Sequence, residues 1–129
     1  MKKYTILLVA GLLGLYACSA PKEKKIENAF ISSSKGIELY GNPDYIFLDV
    51  RTEAEHNDKA IPNTQVIPVQ TLESRIGELE PYRDKKIVVY CRSGNRSSAG
   101  TKILLKHGYN AINLLGGMNQ WQGPVSSGE

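Results

Sequence analysis

Lys86-Ile87-Val88-Val89-Tyr90-Cys91-Arg92-Ser93-Gly94-Asn95-Arg96-Ser97-Ser98 passes through three patterns without a break. Lys86 to Tyr90 is a near-continuous apolar run, as expected of a strand buried on both faces. Cys91 follows at once and opens a short polar loop that contains Gly94. From Arg96 to His107 the spacing is helical. Ala99, Gly100, Ile103 and Leu104 are expected to form its buried stripe, and Gly108 stands where a C-terminal cap belongs. A strand, a tight loop and a helix in that order place the cysteine at the carboxyl end of a strand, where open α/β sheets hold their ligands.

The flanking sequence repeats the strand–helix theme. Upstream, Tyr45 to Val50 reads as a second buried strand, and Thr52-Glu53-Ala54-Glu55 is a capping box that starts a short helix. Pro62 and Asn63 break the chain before a short strand at Gln65 to Ile67. Thr71 is placed to cap a helix with Leu72, Ile76 and Leu79 on one face, stopped by Pro81. Earlier still, Ala29 to Ile31 suits a first strand. A helix capped by Ser33 or Ser34 then runs to about Tyr40, where Gly41, Asn42 and Pro43 end it. Downstream, Ala111 to Leu114 is a last strand, Gly116-Gly117 a turn, and Met118 to Trp121 a short helix. The expected fold class is α/β: one domain over residues 28–123, built on a parallel sheet with helices on both faces. Residues 124–129 read as a loose tail.

Composition agrees with a single domain. The chain has 129 residues, 41% hydrophobic and 22% charged, which excludes a collagen, a coiled coil and a fully disordered chain. Two cysteines exclude a disulfide framework and a multi-cysteine zinc module. His56 and His107 show no ligand spacing with Cys91 and read as surface or helix-end residues.

The N-terminus reads as an address. Lys2 and Lys3 precede an uncharged, mostly apolar run from Ile6 to Ala17, which is too short to span a bilayer and suits a secretory signal. The run ends in Leu15-Tyr16-Ala17-Cys18, which resembles a bacterial lipobox. Residues 1–17 are expected to be a signal peptide, Cys18 the lipidated residue, and 18–27 a charged tether to the domain. The mature chain would then be an exported lipoprotein held to a membrane on the periplasmic or cell-surface side. Removing 1–17 takes two of the 16 basic residues and none of the 13 acidic ones, lowering the formal charge from +3 to +1. A nearly neutral domain carries no electrostatic footprint for nucleic acid.

Cys91 carries the expected chemistry. A free thiol of pKa ~8.5 is only a few per cent thiolate at neutral pH. Backbone N–H groups of a short loop, a helix N-terminus, and Arg92 and Arg96 all favour negative charge on the sulfur. Arg-Ser-Gly-Asn-Arg-Ser is also a poor lining for an inert, buried structural cysteine. Cys91 is therefore expected to be largely thiolate at neutral pH.

With these residues in place, the chain resembles a single-domain rhodanese, a thiosulfate sulfurtransferase. The resemblance rests on Leu48-Asp49-Val50-Arg51 with Thr52 to Glu55, Ile61-Pro62, Ile67-Pro68, Val88 to Ser97, and Leu114-Leu115-Gly116-Gly117 with Trp121. It implies a five-stranded parallel sheet with helices on both faces, and a cysteine that accepts sulfane sulfur as a persulfide and passes it to a thiophilic acceptor. Cys91 is then the catalytic residue, and Arg92, Ser93, Gly94, Asn95 and Arg96 form the substrate loop. Arg96 either orients an anionic donor or braces the loop or a carboxylate. Asp49 is expected behind the loop, holding the loop or Arg51, and Arg51 is either a structural ion-pair partner or a substrate contact. Where the family often has Gly-His-Ile-Pro-Gly-Ala, this chain has Lys59-Ala60-Ile61-Pro62-Asn63-Thr64. The implied partners are a small-molecule sulfur donor and a thiol or cyanide acceptor, which includes a thiol protein; no cofactor or metal is implied. Competing readings are a persulfide relay to a partner protein and, from the same fold, a cysteine phosphatase or arsenate reductase. Those enzymes carry a loop one residue longer than the six residues from Cys91 to Arg96.

Overall fold

Five short strands make one sheet: β1 (Phe30–Ile31), β2 (Tyr45–Asp49), β3 (Gln65–Val66), β4 (Lys86–Tyr90) and β5 (Asn110–Leu114), in the order β1-β5-β4-β2-β3. Every pairing is parallel. The structure, a computed structural model, describes residues 29–127. The signal-peptide region 1–17, Cys18 and the tether 18–27 lie outside the described residues. Between the strands run α1 (Ser33–Leu39), α2 (Glu53–Asp58), α3 (Val69–Leu72), a 3-10 helix (Ile76–Tyr82), α4 (Asn95–Lys106) and, after β5, α5 (Gly117–Gln120).

Side chains alternate across the pleat and so build two cores. Leu48 and Val50 with Ile87, Val89 and Cys91 face one side, where Leu72, Leu79 and Leu104 from α3, the 3-10 helix and α4 cover them. Phe47, Val88, Tyr90 and Leu114 face the other, under Ile37 of α1 and Met118 and Trp121 around α5. Both faces are therefore dry, which is why β4 reads as an unbroken apolar run rather than an alternating one. Cys91 continues the first face one residue past β4, directly beneath the start of α4.

Five local readings change. Ser32, not Ser33 or Ser34, caps α1, its hydroxyl accepting from the Lys35 N–H. Thr71 lies inside α3 and its hydroxyl donates to the Pro68 carbonyl; the helix starts earlier because Pro68 sets its entry. Pro81 does not stop a helix but sits within the 3-10 segment, whose φ matches the proline ring. The buried stripe of α4 is Ser97, Gly100, Thr101 and Leu104, while Ala99 is exposed. Polar Thr101 is tolerated there because its hydroxyl donates to the Ser97 carbonyl at 2.7 Å. The tail expected to be loose is tied down as far as Ser126, which exchanges two backbone hydrogen bonds with Ala60. Trp121 Nε1 donates to the Pro124 carbonyl on the way.

Candidate active site

The loop after β4 closes over its own cysteine. The Gly94 N–H donates to Cys91 Sγ at 3.0 Å, and the Ser97 hydroxyl lies 3.3 Å from the same sulfur. Gly94 holds φ +109°, a conformation that favours glycine because it has no Cβ. It is also the N-cap of α4, so the positive end of that helix faces the sulfur. Burial pushes the Cys91 thiol up. Hydrogen bonds from the Ser97 side chain and from the Ser97, Gly94 and Ser93 backbone outweigh it, and the thiol lies below its ordinary range.

The turn into α5 locks this loop from the far side. Met118 and Asn119 donate backbone N–H bonds to the carbonyls of Cys91 and Arg92. The approach is so close that a Cβ on Gly117 would collide with the Cys91 carbonyl oxygen. Cys91 itself is only 1% exposed. Beside the loop opens a groove of about 390 Å³ walled by Arg51, Glu55, Asp58, Lys59, Arg92 and Met118.

A second arm reaches the loop from α2. Glu55 closes the capping box on Thr52 and also binds Arg96 through two hydrogen bonds of 2.7 and 2.9 Å. The Arg96 guanidinium holds the Glu55 carboxyl down to about 2. Behind this pair, Asp49 is fully buried at the end of β2. It accepts from the Arg51 backbone N–H, from Nε and Nη2 of Arg51, and lies 2.9 Å from His56 Nδ1. Arg51 Nη2 also donates to the Lys59 carbonyl, and its guanidinium lies over the Tyr90 ring. A buried carboxylate with this many donors satisfies its desolvation cost locally. Among the described residues, no three His, Cys, Asp or Glu side chains converge as metal ligands.

The chain as a whole has counterparts among known proteins. The Rhodanese-like domain model matches residues 34–124. The chain belongs to this rhodanese-like family. A protein named sulfurtransferase from Allochromatium vinosum is 34% identical over 95 residues, covering 73% of this chain and 87% of that one. A putative mitochondrial thiosulfate sulfurtransferase from Schizosaccharomyces pombe is 31% identical over 99 residues, covering 67% and 70%. A rhodanese-related protein from Thermoplasma volcanium superposes with a TM-score of 0.67 at 35% identity, covering 76% of this chain and 97% of its own. The five-stranded parallel sheet and its flanking helices are those of a rhodanese-like fold.

Within this rhodanese-like domain the expected site residues take distinct positions. Ser93 and Gly94 supply backbone N–H groups to Cys91. Arg92 is exposed on the groove wall. Asn95 opens α4 and faces solvent. Of the two alternatives for Arg96, the observed contact is the brace on a carboxylate, Glu55. Asp49 and Arg51 pair with each other behind the loop. Ser97 and Glu55 belong to the site as well, beyond the residues expected from the sequence; the spacing of Ser97, three, four and seven residues from Gly100, Thr101 and Leu104, is the signal that it points inward. His56 stands in the last turn of α2, as a helix-end residue, and its Nδ1 lies 2.9 Å from Oδ2 of buried Asp49.

Proposed function

We propose that this protein transfers sulfane sulfur from thiosulfate or a similar anionic donor to cyanide or a thiol through a persulfide on Cys91. The observation that carries this reading is the set of donors converging on one buried sulfur: the Gly94 N–H at 3.0 Å, the Ser97 hydroxyl at 3.3 Å, and a helix N-terminus behind them. The Cys91 thiolate attacks the outer sulfur of thiosulfate. The S–S bond of the donor breaks, sulfite leaves with the electron pair, and Cys91–S–S⁻ remains. A thiolate or cyanide then attacks the outer sulfur, takes it as persulfide or thiocyanate, and returns the thiolate. Preorganised N–H groups stabilise the anionic sulfur in both states without reorganisation.

The buried position of Cys91 favours a reactant that presents a single projecting sulfur atom. It argues against a bulky tetrahedral phosphate, as does the commitment of Arg96 to Glu55. Arg92 is the loop cation left to meet the donor's anionic end. The export reading stands on the sequence of residues 1–18 and extends the proposal: Cys18 carries a lipid that holds the domain to a membrane. Radiolabelled fatty acid incorporated by the wild type but not by Cys18→Ser supports it, and equal labelling of both overturns it.

The deciding experiment is the mass of the Cys91 peptide before and after thiosulfate, with Cys91→Ala alongside. One added sulfur on the wild type, removed by cyanide, is the expected result. A reduced, intact Cys91 that gains nothing overturns the thiosulfate reading. A persulfide that forms but passes to neither cyanide nor small thiols assigns a relay to a protein acceptor.

A further inference from the structure

Asn113 is an amide buried in the sheet, 7% exposed, on the same face as Cys91 and beneath the start of α4. Its backbone is fixed on both sides: β5 pairs it with Val89 of β4 and with Phe30 of β1. Its Nδ2 donates to the Gly94 carbonyl at 3.3 Å, and that carbonyl also accepts the Ser98 N–H at 3.0 Å. The amide cannot turn over, because Oδ1 would then face another acceptor. Its Oδ1 is buried and has no hydrogen-bond partner among the described residues. An orphaned acceptor of this kind costs free energy, so packing alone does not explain an asparagine here; an apolar side chain would carry no such cost.

We propose that Asn113 is a positioning residue for Cys91: its amide holds the Gly94 carbonyl, and so aims the Gly94 N–H at the sulfur. Gly94 has no side chain to steer it, and φ +109° is one of several conformations open to glycine. With the 94–95 peptide anchored to β5 and to α4 through the Gly94 carbonyl, the Cα of Gly94 is fixed beside the sulfur, and fewer φ values remain from which its N–H can leave Cys91. The orphaned oxygen is the cost of placing a donor at that point. The inference rests on Cys91 as the reacting group. Arg96 also acts on Cys91 through its charge, but it is tied to Glu55 on α2 and is independent of Asn113.

The test is peptide-resolved alkylation of Cys91 by iodoacetamide against pH, in the full chain, which separates Cys91 from Cys18. Asn113→Leu is expected to raise the midpoint by about one pH unit, which is about tenfold less thiolate below it. Asn113→Asp is expected to raise it further, since the carboxylate adds like charge and removes the donor. Asn113→Ser, too short to reach Gly94, replaces the leucine variant if that one fails to fold, and is expected to shift the midpoint the same way. Folded variants with the wild-type midpoint overturn the proposal and leave Asn113 a packing residue. Because alkylation needs no sulfur donor, that failure is distinct from a wild type that never forms a persulfide.

Discussion

The acidity of Cys91 is set by short contacts, and Ser97 makes the one that a single substitution removes most cleanly. A hydrogen bond to a charged group contributes roughly 1.5–3 kcal/mol. Ser97→Ala is therefore expected to raise the midpoint of thiolate formation by roughly one to two pH units, read from the pH dependence of Cys91 alkylation. Glu55 titrates in the opposite context. Its folded value of about 2 lies below its ordinary 4.5, so its bond to Arg96 stabilises the fold fully above about 4.5, and this contribution is lost as the pH falls toward about 2. Glu55→Gln is expected to flatten that acid limb; urea unfolding on either side of pH 4.5 measures it, and an unchanged slope would remove Glu55 as its source. Neither the pair nor the Asp49–His56 contact was legible in the sequence. Glu55 and Arg96 lie 41 positions apart, and only folding shows that α2 stands beside the cysteine loop. The cysteine, its loop and the inward role of Asp49 were legible, because a buried strand that ends in Cys-Arg-Ser-Gly-Asn-Arg has few uses for those residues.

At the scale of elements, two glycines in similar surroundings should behave oppositely. Gly100 lies mid-α4, and a Cβ there would meet Val50, Val89 and Leu72 at 3.4 to 3.5 Å, ordinary contact. Gly100→Ala is expected to stabilise the fold by about 0.5–1 kcal/mol through helix propensity. Gly117 opens α5 at φ +47°, against the Cys91 carbonyl. Gly117→Ala is expected to destabilise by about 1–3 kcal/mol and to slow sulfur loading as well, because the loop must shift. Thermal unfolding and the loading rate of each variant check both. The strands, the capping box of α2 and the end of α4 were readable because each rests on local signals: an apolar run, Thr-x-x-Glu, a glycine after the last turn. The region from Val69 to Tyr82 was not, since Leu72, Ile76 and Leu79 fit one long helix equally well. Instead Pro68 enters an α-helical turn over Val69–Leu72, and Pro81 lies within a separate 3-10 stretch over Ile76–Tyr82. The stripe of α4 was misplaced because apolar Ala99 outweighed Ser97 and Thr101 in the pattern, whereas hydrogen bonding makes the polar pair fit the core.

The whole molecule brings one sulfur to the carboxyl edge of its sheet and covers it almost completely. Under the proposed function, donor and acceptor reach this one covered sulfur in turn. Steady-state rates with thiosulfate and cyanide are expected to give parallel reciprocal plots, the mark of a ping-pong order; intersecting lines would require both reactants bound together. The outer strands have a separate consequence. β1 and β3 are each two residues long, so among the described residues the sheet presents only a few unpaired backbone groups at either margin. A neighbouring chain finds no ladder on which to add itself as another strand. Concentrated solutions of the folded domain should therefore resist the stacking of sheet upon sheet edge that leads to fibrils, even though its central strands are among the most apolar segments of the chain.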